Sequence, residues 1–289
     1  MRRSAAATLA ATAWAEDNRR MKAATVDVGN GVRLYYEERG EGPALLFVHG
    51  MWGTCRFFHK QFEELSARFR VIALDLRGHG RSSMTLEDQT VPAYARDLHA
   101  FVNLLGLRDF IGIGWSMGAL VWWDYYLQFG VAGLRALIDI DQPPSDWRSP
   151  EIPGGLLTLD ALRDWHYRLQ TDRNGFMREV IPMMFARPPD EADMAWMLDE
   201  MTRAPAVIAA AEMVDQSLRE YQHMLFGYPV PTLACTGAHS AQPRAGMQMI
   251  VDRVRQGRLQ VFEGCGHCLF LEDATAFNRS VVEFAAELG

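Results

Sequence analysis

The sequence predicts an α/β domain: a mostly parallel eight-stranded sheet with helices on both faces and a helical insertion after the sixth strand. Three observations point there. Short apolar runs alternate with segments of helical period along most of the chain, the pattern of strand–helix–strand units. The alternation stops after Pro143-Pro144 and resumes only near Thr232, an interruption too long for an ordinary loop. Ahead of that interruption lies Gly114-Trp115-Ser116-Met117-Gly118, a glycine-flanked serine at a strand-to-helix junction.

The elements follow in order. Thr25 to Val28 and Val32 to Glu38 flank Gly29-Asn30-Gly31, a hairpin signal. Ala44 to Val48 and Val71 to Leu74 are short apolar runs of buried strands. Phe57 to Phe69 and Tyr94 to Leu105 have helical period. Phe110 to Ile113 is a strand leading into Ser116, Ala119 to Phe129 a helix, and Leu134 to Ile140 a strand. The insertion reads as helices, such as Leu159 to Gln170 and Ala192 to Met201. Strand Thr232 to Cys235, a helix around Met247 to Arg255, strand Leu259 to Phe262 and helix Ala274 to Leu288 complete the pattern. Residues 24–142 and 229–289 are thus expected to form the core and 143–228 a lid over the carboxyl edge of the sheet. Residues 1–23 are expected to be a disordered extension. Residues 1–15 superficially resemble a secretory signal, but their apolar stretch is mostly Ala and Thr.

Composition narrows the partners. The net charge of −7 argues against nucleic acid, which needs a basic face. No segment approaches the ~20 apolar residues of a membrane span. The four cysteines suit reduced thiols of a cytoplasmic protein better than a disulfide framework. No cluster has metal-ligand spacing, so no metal is expected.

Four motifs carry a resemblance: His49-Gly50-Met51-Trp52-Gly53, Asp75-Leu76-Arg77-Gly78-His79-Gly80-Arg81-Ser82, Gly114 to Gly118, and Gly264-Cys265-Gly266-His267. In that order, and on matching elements, they make the chain similar to the α/β-hydrolase fold family from Ala24 to Leu288. The wording Trp115-Ser116-Met117-Gly118 resembles its bacterial esterase and cofactor-free haloperoxidase (perhydrolase) branch. The resemblance implies no cofactor. It implies Ser116 as nucleophile and His267 as its base, with the backbone N–H groups of Met51 and Met117 as oxyanion donors. His79 resembles the family's structural Arg-Gly-His-Gly turn, and His49 is expected to hold the oxyanion loop in shape. His59, His99, His166 and His223 fall on expected helices and suit surface or lid positions.

The third triad member departs from the family's usual pattern. Most relatives place the acid in a G-x-x-D stretch after the seventh strand, where this chain reads Gly237-Ala238-His239-Ser240. Some relatives use the end of the sixth strand instead, and Ile138-Asp139-Ile140-Asp141-Gln142 supplies two carboxylates there. Asp141, at the sheet mouth, is the expected acid, with Asp139 the alternative two residues deeper on the same face. Two buried carboxylates need partners: one should accept from His267 and the other be capped by backbone or an Arg.

The Cys265-Gly266-His267-Cys268 stretch spells C-x-x-C, but it follows the last strand and overlaps the histidine loop, so redox chemistry is not expected. The insertion is rich in methionine (Met177, Met183, Met184, Met194, Met197, Met201, Met213, Met224), joined by Trp147, Trp165 and Trp196. Most should be core; those facing a pocket would make it adaptable and apolar. With Trp52 and Trp115 as substrate-binding residues, a small hydrophobic ester-like substrate is expected. The reading is hydrolysis of carboxylic esters or lactones through an acyl-enzyme on Ser116. Carbon–carbon or amide cleavage and perhydrolysis on the same triad stay open, as does a non-catalytic ligand-binding or signalling relative.

Overall fold

The computed structural model describes residues 20–150, 152 and 155–289. The expectations for residues 1–19 lie outside the described residues. Eight strands form one sheet: β1 (Lys22–Gly29), β2 (Val32–Arg39), β3 (Ala44–Val48), β4 (Arg70–Leu74), β5 (Phe110–Trp115), β6 (Leu134–Ile140), β7 (Thr232–Gly237) and β8 (Gly257–Phe262). Their order is β1-β2-β4-β3-β5-β6-β7-β8. β2 pairs antiparallel with β1 and with β4, and the strands from β4 to β8 run parallel. The β1–β2 hairpin turns through Gly29, Asn30 and Gly31, all at positive φ, where glycine and asparagine are least strained. β1 begins at Lys22, two residues before Ala24.

Burial explains the all-apolar strands. β3 and β5 are buried at every position, because helices cover both sheet faces. One face packs Leu45, Phe47, Ile113 and Ile138 under Phe58, Phe62, Leu269 and Phe277. The other packs Leu46, Val48 and Leu137 under Leu98, Phe101, Trp122 and Met247. The expected helix Phe57 to Phe69 is shorter: a 3-10 turn Cys55–Phe58 runs into helix His59–Leu65, and the chain then turns towards β4. His223 lies in a turn rather than on a helix.

Among the described residues four helices stand between β6 and β7, Leu159–Thr171, Arg173–Met183, Glu191–Met201 and Ala206–Ser217. The first three are started by side-chain caps from Thr158, Asp172 and Asp190, which accept from backbone N–H groups of the first turn. Leu169, Phe176, Ile181 and Met201 join the core on the Phe47 face. Among the described residues no helix is long and apolar enough to cross a membrane.

Candidate active site

Ser116 is the turn residue between β5 and helix Met117–Phe129, at φ 52° and ψ −126°. Such a conformation costs on the order of 1–3 kcal/mol for a residue with a side chain and persists only where neighbours enforce it. Here they do. Ser116 N–H donates to Ile140 O at 2.9 Å, tying the turn to the end of β6. A Cβ at Gly114 would lie 2.4 Å from Ala119 N, and one at Gly118 2.2 Å from Val48 O, so only glycine fits. The helix presents its first N–H groups, starting with Met117, beside the serine.

His267 stands in the turn after β8, half-buried, its ring 5.5 Å from that of Trp115. The turn is clamped on two sides. Gly266 N–H donates to Glu272 Oε2 at 2.6 Å, and Cys268 N–H donates to Met184 O of the insertion at 3.0 Å. His267 Nδ1 lies 2.7 Å from Asp141 Oδ2. A carboxylate only accepts, so Nδ1 carries a proton.

Asp141 is fully buried. Besides His267 it accepts from Thr236 Oγ1 at 2.6 Å and from the Ser240 hydroxyl. Asp139 is placed differently. Its Oδ1 accepts from Gln142 N–H at 3.1 Å, a backbone cap, and burial pushes its carboxyl well above the usual range. Asp141 lies just past the end of β6 at a left-handed φ of 58°, and its carboxylate meets Thr236, Ser240 and His267.

Two histidines shape the loop after β3. His49 Nδ1 donates to Gly50 O at 2.8 Å, and its Nε2 accepts from Leu76 N–H at 3.0 Å. That pattern needs a neutral ring, and burial, helped by His79, holds its pKa well below the ordinary value. His79, with its ring 4.8 Å away, is the opposite case. Its Nδ1 contacts Arg77 O at 2.9 Å and its Nε2 lies 2.6 Å from Glu212 Oε2. Burial is the largest single influence and opposes its charge, but the Glu212 carboxylate together with Arg77 O and Asp75 makes the net shift upward. Glu212, from the last insertion helix, also accepts from Trp52 N–H at 2.8 Å, and Trp52 Nε1 donates to Ala209 O at 3.0 Å. Trp52 N–H is therefore committed to Glu212. The preceding residue, Met51, lines the cavity with Ser116.

That cavity, of about 150 Å³, brings together Ser116, His267, Met51, Trp52 and Trp115. Met183, Met184, Met201 and Met213 line it with Trp165 and Val180. The other insertion methionines and Trp147 and Trp196 pack into or against the core. Sequence reasoning missed its polar side. Gln142 Oε1 accepts from the Ser116 hydroxyl at 3.3 Å, while Gln142 Nε2 donates to Asp146 Oδ1 at 2.9 Å. Asp146, Gln216, Ser217 and Gln242 line the same cavity. The signal for Gln142 was its place directly after Asp141 and before two prolines. Gln216 carried none, since its helix comes from distant sequence.

All four cysteines are unpaired and buried. Burial pushes the Cys265 thiol to about 11 and the Cys268 thiol well above its ordinary value.

Residues 45–280 match the model of the alpha/beta hydrolase family. The chain therefore belongs to that family. It is 26% identical over 275 residues to a non-heme chloroperoxidase of Kitasatospora aureofaciens, covering 88% of this chain and 96% of the relative. Among solved structures it resembles a putative aryl esterase from Burkholderia cenocepacia (TM-score 0.81, 25% identity, 92% of this chain and 99% of that one). The bromoperoxidase from Bacillus anthracis shares the fold (TM-score 0.87, 23% identity, 92% and 100% covered).

Proposed function

We propose that this protein is a serine hydrolase that cleaves carboxylic esters or lactones of hydrophobic small molecules. The observation that carries this reading is the 2.7 Å contact of His267 Nδ1 with Asp141, in a cavity shared with the strained Ser116. With Nδ1 held by the carboxylate, Nε2 is free to take the Ser116 proton. The hydroxyl, resting on Gln142 Oε1, gives its proton to His267 as its oxygen attacks the carbonyl. The N–H groups of Met117 and Met51 stabilise the oxyanion, each worth of order 10²–10³ in rate. The alcohol leaves with the proton from His267. Water, deprotonated by His267, then releases the acid. The helices between β6 and β7 act as the lid that dries the cavity, and Trp52 and Trp115 contact the substrate.

The likeness to proteins named chloroperoxidase and bromoperoxidase favours a second acyl acceptor. Hydrogen peroxide in place of water would release a peracid from the same acyl-enzyme.

A fluorophosphonate probe and p-nitrophenyl butyrate test the reading. Wild type is expected to be labelled and to turn over the ester, and Ser116→Ala to do neither. Absence of labelling and turnover in the wild type would sink it.

A further inference from the structure

We infer that Glu212 is a positioning residue for the oxyanion turn: from the last insertion helix it keeps the Met51 N–H in place. The inference rests on the hydrolase reading and deepens it.

Gly53 N–H donates to Gly50 O at 3.0 Å, so residues 50–53 form a tight turn. Trp52 takes its third position, at a left-handed φ of 63°. That is the place a type II turn gives to glycine or asparagine. A tryptophan there is strained and persists only where its surroundings enforce it. Both of its polar anchors lie on one helix, Ala206–Ser217. Glu212 Oε1 accepts from Trp52 N–H at 2.8 Å, and Ala209 O accepts from Trp52 Nε1 at 3.0 Å. Glu212 is itself fixed. It is 1% exposed, and its Oε2 lies 2.6 Å from His79 Nε2 and accepts from the Tyr94 hydroxyl at 3.2 Å.

Relaxation of Trp52 to a right-handed φ would rotate the Met51–Trp52 peptide and carry Met51 with it. Glu212 opposes this, because rotation would bring Met51 O to a buried carboxylate in place of an N–H. The peptide before it is held from the other side: Gly50 O takes both His49 Nδ1 and Gly53 N–H. In a trans peptide the N–H lies opposite that oxygen, and it belongs to Met51. Among the described residues Met51 N–H donates to no acceptor. The turn also presses on the nucleophile, since a Cβ at Gly50 would fall 2.9 Å from Ser116 Cβ. A free N–H beside the serine, in a turn that Glu212 keeps from relaxing, is a preorganised oxyanion donor.

Two ketones separate oxyanion stabilisation from ordinary binding. The Ser116 oxygen adds to the carbonyl carbon of butyl trifluoromethyl ketone, its proton passes to His267, and the carbonyl oxygen becomes the oxyanion. Butyl methyl ketone has a similar shape and adds far less readily. Glu212→Ala is expected to raise the Ki of the trifluoroketone and to lower kcat on p-nitrophenyl butyrate, each about tenfold, because a misaimed donor forfeits part of its worth. KM and the Ki of the methyl ketone should stay within about twofold. Glu212→Gln keeps an oxygen for Trp52 N–H and should hold kcat within about threefold of wild type. Asp215→Ala cuts the bond from the same helix to Val91 N–H and should leave both Ki values unchanged. Trp52→Phe loses the bond to Ala209 O but keeps a ring, and a selective rise of about threefold in the trifluoroketone Ki is expected. It decides alone if circular dichroism shows Glu212→Ala unfolded. An unchanged trifluoroketone Ki in the deciding variant overturns the inference. So does equal weakening of both ketones, or the same loss in Glu212→Gln or Asp215→Ala. Failure of the hydrolase reading shows separately, as wild-type protein that neither cleaves p-nitrophenyl butyrate nor takes up the fluorophosphonate.

Discussion

Ser240 donates its hydroxyl to Asp141 Oδ2, the same oxygen that faces His267 Nδ1. Position 240, where the G-x-x-D pattern would put an acid, thus carries a donor to a carboxylate just past the end of β6. The swap keeps one carboxylate behind the imidazole, and a second one at 240 would crowd it with like charge.

Asp141→Asn is expected to lower kcat about 10³–10⁴-fold on p-nitrophenyl butyrate, as loss of a triad carboxylate does elsewhere. KM should move little, because Asp141 does not line the cavity. Steady-state kinetics check this, and a change below tenfold would remove Asp141 from the mechanism.

Asp139→Asn should keep most activity and alter the pH dependence of stability instead. Burial raises the Asp139 carboxyl well above its ordinary 3.8. The folded state therefore holds a proton that the unfolded state has lost, and wild-type stability falls as pH rises from about 3.8 through the raised value. The asparagine variant lacks this slope, so its stability relative to wild type should increase between pH 5 and pH 8 in urea titrations.

Ser240→Ala removes one donor to Asp141 and leaves the carboxylate in place. Loss of a hydrogen bond of about 1 kcal/mol corresponds to about fivefold, so kcat should drop by that order and no further. A Thr236→Val comparison should give a similar loss, since Thr236 serves the other oxygen.

Glu212→Gln should flatten another pH profile. His79 is held above its ordinary 6.5, chiefly by Glu212 against burial. That stability is complete below about 6.5 and disappears as pH rises through the raised value. In the glutamine variant, chemical unfolding between pH 6 and 9 should lose this slope.

The cysteines should be inert. Their raised thiols supply little thiolate at neutral pH, and all four are buried. Ellman's reagent should react with none in the native protein and with four in guanidinium chloride.

Much of the sheet was legible because its central strands are continuous apolar runs, as in Leu45 to Val48 and Phe110 to Ile113. The serine turn was legible because its glycines are sterically required at 114 and 118. The partners of the Asp141 carboxylate were not, since Thr236 and Ser240 come from distant sequence. Nor was the polar side of the cavity. Gln142 and Gln216 meet through Asp146 across 70 residues of sequence, and no local pattern links them.

The helix Ala206–Ser217 has two kinds of partner. Glu212 grips the Trp52 amide and His79, and Asp215 accepts from Val91 N–H at 2.8 Å. Gln216 and Ser217, one turn on, line the cavity that holds Ser116 and His267. This helix is therefore not an interchangeable part. A graft that brings a new selectivity on this helix but no acid at 212 leaves His79 and a loop amide without their partner in the interior. Directed exchange of specificity has to carry residues 49–53 and 79 along with the helix, or confine itself to positions 216 and 217.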